Sequence, residues 1–295
     1  MGDVENIRAF NRTVTRRLGV LNEKCLGRDR PLVESRLMFE IGVNGASVRE
    51  LRARLGLDSG FSSRLLRALE RKKLVSTRPA GSDGRVKIAH LTRSGLAELK
   101  RLEALSDDLA RSMLAPLSPG QAQRLVGAMA EVERLLRASS IEFAPVDPRS
   151  GDAERCLRQY YAELAARFPR GFKLRAEDAP AAGELAPPAG CMIVARLFGE
   201  PVGCGAIRTL APGLGEIKRM WVSPRVRGLG VGRRLLETLE HVVCEPELRA
   251  VRLDTNASLM EALGLYRTSG YREIPRYNDN PHAQHWFEKT LVDKP

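Results

Sequence analysis

Aromatic residues make up only 5% of the 295 residues, so any core must be assembled mainly from Leu, Val and Ala. No apolar run approaches the roughly 18 residues that a membrane span requires. The start, Met1-Gly2-Asp3-Val4-Glu5, lacks the apolar stretch of a signal peptide. Histidine is scarce, at four residues. His282 and His285 are close, but no cysteine stands at ligand spacing beside them, which argues against zinc; no metal is expected. The five cysteines (Cys25, Cys156, Cys191, Cys204 and Cys244) form no CxxC pair and read as reduced, mostly buried thiols. These absences lead to the expectation of a cytoplasmic protein with no membrane partner.

What is present is an ordinary globular balance, 43% hydrophobic and 28% charged, in a chain long enough for two domains. The net charge of +12 is unevenly spread. Residues 1–140 hold 26 Lys+Arg against 16 Asp+Glu, and the remainder 22 against 20. A basic surplus confined to the first half suits a polyanion there, although a solvated basic surface would give the same count.

The spacing of apolar residues divides the chain near Ser139. Up to that point it is mostly helical: Ile7, Phe10, Val14, Leu18 and Leu21 mark one face, and Leu32, Val33, Leu37, Met38 and Ile41 a second. Ser118-Pro119-Gly120 opens a last helix carrying Leu125, Met129, Val132, Leu135 and Leu136. Beyond Ser139 the texture becomes α+β. A strand is expected at 141–146 and a helix at 153–168, then strand-like runs at 191–197, 202–210 and 216–222. A helix (230–244), a strand (251–254), a helix (258–268) and two closing strands follow. The Ala- and Pro-rich stretch 178–189 reads as a mobile loop.

In the first half, Ser47-Val48-Arg49-Glu50 is a capping box, and Gly56 closes the short helix it opens. After the turn Leu57-Asp58-Ser59-Gly60, a second helix is expected over 61–74, with Leu65, Leu66 and Leu69 inward. Short helix, glycine turn and polar-fronted helix are the parts of a helix-turn-helix. Ser59, Phe61, Ser62, Ser63, Arg64 and Arg67 stand as DNA-contacting candidates at its front. A hairpin follows around Gly81-Ser82-Asp83-Gly84, decorated by Arg78, Arg85 and Lys87, and an arginine at such a tip suits a narrow minor groove. The ordered set, including "LDSGFSSRLLRALERKKLV" and "GSDGRVKIAHLT", resembles the MarR family of transcriptional regulators. That resemblance implies a winged helix-turn-helix fold over residues 1–139, double-stranded DNA as partner and a homodimer held by the first and last helices. It also gives Arg85 the minor-groove role.

In the second half, the strand Glu216–Val222 runs through Ser223-Pro224 and Arg225-Val226-Arg227 into a glycine-rich turn that opens a long helix. Arg227, Gly228, Leu229, Gly230, Val231, Gly232 and Arg233 form this turn and first helical residues. Amides at such a turn, together with the helix dipole, favour an anion. No Gly-Lys-[Ser/Thr] follows, which excludes a P-loop, and the preceding hairpin lacks the βαβ spacing of a dinucleotide fold. The run Arg227-x-x-Gly230-x-Gly232, with "DTN" at 254–256 and "LYRTSGYREI" at 265–274, is similar to the GNAT acetyltransferases. Residues 140–295 are then expected to form an α+β GNAT fold with a mixed, mostly antiparallel sheet and to use acetyl-CoA.

The same resemblance implies that backbone at Met220 and Val222 pairs with the pantetheine and that Asn256 helps fix the cofactor, with helix capping as its alternative role. It points to Tyr266 as general acid, against a packing tyrosine. It also points to Glu216 as base, against a salt-bridged or orienting carboxylate. Tyr277, Asn278 and Asp279 in the polar-aromatic tail are candidates for the acceptor pocket. Two functions remain open at this point. One is a DNA-binding regulator that is also an N-acetyltransferase of a small-molecule amine, or of a protein targeted by the winged helix. The other is a regulator whose GNAT domain only senses an acyl-CoA or another ligand.

Overall fold

The computed structural model describes residues 2–19, 27, 30–80, 83–168, 171–172, 182–241 and 248–291, with the side chains of 83–85 and 182 outside that description. The chain divides into two compact units, Met1–Glu131 and Val132–Pro295.

The first unit opens with α1 (Asp3–Arg17), shorter than the apolar spacing suggests; Leu21 lies outside the described residues. Then come α2 (Leu32–Ile41), a short strand β1 (Ala46–Ser47), α3 (Val48–Leu55) and α4 (Ser59–Arg71). Ser47 and Glu50 close the expected capping box, each bonding the other's amide. Gly56 ends α3 in the left-handed region at φ 62°. The second helix starts at Ser59, two residues earlier than expected, because the Asp58 carboxylate caps it by accepting from the Phe61 amide at 2.8 Å. Strands β2 (Val75–Ala80) and β3 (Asp83–Leu91) form the hairpin, and β1 adds to β3 as a third strand that its two residues were too few to signal. Leu37, Met38, Leu51, Leu69 and Leu102 are fully enclosed in the core of this unit. Each buried leucine contributes about 1.5–3 kcal/mol. Helices α5 (Arg93–Leu114) and α6 (Pro119–Ser139) complete the run, α6 crossing into the second unit.

The second unit is a seven-stranded sheet in the order β4-β5-β6-β7-β8-β10-β9. Its strands are β4 (Ile141–Val146), β5 (Gly190–Leu197), β6 (Glu200–Ala211), β7 (Leu214–Val222), β8 (Ala250–Thr255), β9 (Arg272–Glu273) and β10 (His285–Thr290). Its helices are α7 (Gly151–Arg167), α8 (Val231–His241) and α9 (Met260–Thr268). Every pairing is antiparallel except β7 with β8. The expected mixed, mostly antiparallel α+β fold is therefore the observed one. Of the stretch 178–189, residues 178–181 lie outside the description. The remainder is not a loose loop: Ala182–Leu185 forms a 3-10 turn that buries Leu185 among Met192, Val194 and Trp221.

Candidate functional site

Two local features of β7 create the site. Its parallel register with β8 ends at Ile217 opposite Leu253, although both strands continue. Beyond that point Lys218, Arg219 and Met220 form one lip of an opening, and Asp254, Thr255 and Asn256 the other. On the opposite side, the pairing with β6 slips between Cys204 and Ala206, and Arg219 takes φ 59°. A β-bulge re-aims side chains in this way. The splay holds a cavity of about 430 Å³, walled by Tyr160, Tyr161 and Phe168 of the α7 region, by Tyr266 of α9 and by the tail residues Asn278, Asp279 and His282.

The glycine-rich turn follows directly from β7. Gly228 and Gly230 hold φ 79° and 73°, and an added Cβ at either would meet open space. The constraint there is the left-handed backbone, not crowding. The first bond within α8 runs from the Arg234 amide to the Gly230 carbonyl, so the amides of Val231, Gly232 and Arg233 precede it at the positive end of the helix. Open space over left-handed glycines and leading helix amides fit a phosphate-bearing cofactor such as the expected acetyl-CoA. The side chains of the turn are engaged within the protein itself. Val231 is buried, Leu229 and Val222 pack on the same core, and Gly232 lies against Leu265. Arg227 bonds both oxygens of Glu163 on α7 and the Val222 carbonyl, and Arg233 bonds Thr268.

Tyr266 is buried, with Tyr271 and Phe287 about 6 Å from its ring, yet it lines the cavity. Burial, with Asp254 nearby, pushes its phenol pKa up, so the hydroxyl keeps its proton. Its O–H has no hydrogen-bond partner among the described residues.

Glu216 does not match the expectation of a base. Its residue is 0% exposed and does not line the cavity. Its carboxylate receives Arg208 Nε at 2.7 Å, Lys218 Nζ at 3.0 Å, the Tyr277 hydroxyl at 2.9 Å and Asn278 Nδ2 at 3.1 Å. Burial alone would raise its pKa, but Lys218 and Arg208 offset that and hold it below its ordinary 4.5. A carboxylate so enclosed is a poor proton acceptor and a good structural anchor.

The tail candidates divide. Tyr277 is spent on Glu216 and lies under the Arg252 guanidinium, away from the cavity. Asn278 lines the cavity and ties Glu216 to Asp254. Asp279 also lines it but turns its side chain to solvent, paired with Arg276. Asn256 lines the cavity while bonding the His282 carbonyl and the Ser258 amide; it does not cap α9, whose N-cap is Leu259. The sequence reading missed Arg219 and the aromatic wall. Their positions depend on strand slippage and helix packing, which leave no local signal.

In the first unit, Ser59, Arg64 and Arg67 are exposed on α4, and Arg78 and Lys87 on the hairpin. Ser63 is partly buried and bonds the Ser59 carbonyl. Ser62 is a correction: it is 1% exposed, on the inward face with Leu65, Leu66 and Leu69, and cannot reach DNA. Phe61 likewise packs against the core, with Arg64 over its ring. The Arg85 side chain lies outside the described residues. Among the described residues no group of His, Cys, Asp and Glu could hold a metal ion, and no helix is long and apolar enough to cross a membrane.

Residues 157–271 match the model of the acetyltransferase (GNAT) family, and residues 28–86 that of the MarR family. The chain thus joins a MarR-like segment to one with the GNAT fold. The chain is 42% identical over 90 residues to an IAA acetyltransferase of Azospirillum brasilense, covering 30% of this chain and 59% of that protein. This chain thus spans less than two thirds of that relative's length. Among solved structures, a putative acyl-CoA N-acyltransferase from Klebsiella pneumoniae aligns with 26% identity and a TM-score of 0.42, over 52% of this chain and 98% of that one. Streptococcus pneumoniae FabT in complex with DNA aligns with the chain at 18% identity and a TM-score of 0.40, over 45% of this chain and 97% of that one.

Proposed function

We propose that the GNAT domain is an N-acetyltransferase that moves an acetyl group from acetyl-CoA to a small-molecule amine, and that the MarR domain binds double-stranded DNA as a homodimeric transcriptional regulator. The observation that carries the first part is the continuity of one strand: β7 forms a lip of the splayed cavity and then leads into the left-handed glycine turn. Backbone near Met220 and Val222 would hold the pantetheine, the Gly228–Gly232 turn the pyrophosphate, and the thioester would lie in the cavity. A neutral amine nitrogen would attack the acetyl carbonyl, forming the C–N bond as the C–S bond breaks; the thiolate would take its proton from Tyr266, and the proton shed by the nitrogen would restore the phenol. That donor fits because Tyr266 lines the cavity and a phenol carries its proton at neutral pH. Glu216 acts as a positioning residue that fixes Arg208, Lys218 and Asn278.

Release of CoA thiol from acetyl-CoA against a panel of amino acids, polyamines, aminoglycosides and arylamines tests this reading. Release with one class establishes the enzyme. Binding of acetyl-CoA without release favours the second reading, a ligand-sensing domain, for which the enclosure of Glu216 is the supporting observation.

For the MarR domain, the basic surplus and the exposed Arg64, Arg67, Arg78 and Lys87 support DNA binding. Operator affinity is expected to fall steeply with salt. Arg64→Ala and Arg67→Ala should each reduce the slope of log affinity against log salt by about one if they contact phosphates. Titration at several salt concentrations reads this, and slopes unchanged in both variants would remove α4 from the interface. Dimerisation is supported by α1 and α6, which bury no residue yet carry exposed Ile7, Phe10, Met129 and Leu136. Sedimentation at micromolar concentration should give a dimer.

A further inference from the structure

Three cations line the cavity, and two are neutralised by the protein itself. Arg208 pairs with Glu184 and Glu216, and Lys218 with Glu216 and Asp254. Arg219 differs. It has no carboxylate partner among the described residues, its Nε is buried without a hydrogen bond, and its guanidinium stacks on the Tyr161 ring at 5.4 Å. Burial pushes its pKa down, and Tyr160 opposes that only in part. The backbone beneath it is also strained. Arg219 sits at φ 59° on the bulge, and its carbonyl accepts from the Cys204 thiol. A guanidinium forms forked bonds to carboxylates, and an uncompensated buried one awaits an anion.

The wall beside Arg219 is a chain of rings. Tyr160 and Tyr161 lie 5.2 Å apart, Tyr161 stacks on Phe172 at 5.9 Å, and Phe172 meets Phe168 at 5.7 Å and His282 at 4.9 Å. Such a surface receives a flat or bulky apolar group. The lining acids Glu184, Asp254 and Asp279 are all ion-paired. Among the described residues no lining acid is left for Arg219, which leaves its place for an anion to a ligand.

From this geometry we infer that the acceptor is an α-amino acid with an aromatic side chain, whose carboxylate is bound by Arg219 and whose ring lies on the Tyr161–Phe172–His282 wall. This rests on the acetyltransferase reading above, which leaves the amine unspecified. Transfer to the α-amine then yields the N-acetyl amino acid and CoA thiol, with no other reactant.

The test uses matched acceptors with the full-length protein: phenylalanine, its amide and phenethylamine, together with the tryptophan series. In the wild type, kcat/KM for the amino acid should exceed that for the amide and the amine by about 10–100-fold, the range of a lost charged hydrogen-bond pair. In Arg219→Gln the three should converge, through KM for the amino acid, with KM for acetyl-CoA unchanged. The variant should fold and melt close to the wild type, because it removes a half-buried charge that has no carboxylate partner among the described residues. Equal use of amine and amino acid by the wild type, or the same preference in the variant, overturns the inference while leaving the acetyltransferase intact. A binding measurement separates the two claims if no acceptor turns over. Phenylacetate should bind the wild type and not Arg219→Gln by calorimetry, and absence of binding to either would overturn the carboxylate site.

Discussion

Tyr266→Phe should lower kcat by about 10²–10⁴-fold, the usual contribution of a positioned general acid. KM for acetyl-CoA should be left nearly unchanged. The substitution removes one hydroxyl from a residue whose ring already packs among Tyr271 and Phe287, so the core contacts remain. That hydroxyl has no hydrogen-bond partner among the described residues, so its loss leaves no group unsatisfied and thermal stability should hold. Stability kept while turnover collapses is the signature of a proton donor. A purely packing tyrosine would keep both stability and turnover in Phe, because Phe fills the same space. The measurement is single-turnover acetyl transfer beside a thermal melt; unchanged transfer would remove Tyr266 from the chemistry. Assignment of the acid would then move elsewhere in the cavity.

Glu216→Ala should act in the opposite way, through the fold. Breaking a buried ion pair by removing one partner costs about 3–5 kcal/mol. The low end, about 3 kcal/mol, is expected here because Arg208 keeps Glu184 and Lys218 keeps Asp254. Tyr277 and Asn278 would also each lose an acceptor. The pH dependence follows from the sign of the shift. The folded carboxyl has a pKa below its ordinary 4.5, so its stabilisation is complete above that value and is lost as pH falls through the depressed one. Denaturant melts of wild type and variant should therefore differ most near neutrality and converge in acid. A constant difference down to pH 3 would show that the effect is packing and not charge. Activity should fall too, since Asn278 and Lys218 line the cavity from positions that Glu216 fixes.

Much of this arrangement was legible before any coordinates. The Ser47/Glu50 capping box, the Gly56 stop, the hairpin, the long strand and the glycine turn all appear where the residue pattern puts them. Each is written within a few neighbouring residues, and each rests on local physics: an orphan amide to satisfy, a left-handed angle only glycine adopts freely, an alternation of buried faces. The errors are equally instructive. Ser62 and Phe61 look like the front of a recognition helix until the register of α4 turns them inward. Glu216 looks like a base until Arg208, Lys218, Tyr277 and Asn278 are found around it. Tyr277 and Asn278 come from more than sixty residues away.

The sequence by itself determined the two-domain order, the types of most elements, the basic bias of the first half and the glycine-rich turn, because these depend on spacing along the chain. Only the tertiary structure decided which polar groups are spent on one another and which are left for a ligand. Arg208, Lys218 and Arg219 are alike in one dimension. In three, a splayed strand pair and a one-residue bulge leave Arg219 against the aromatic wall and give the other two their carboxylates. Charge compensation depends on distance through space, and residue spacing does not encode that distance.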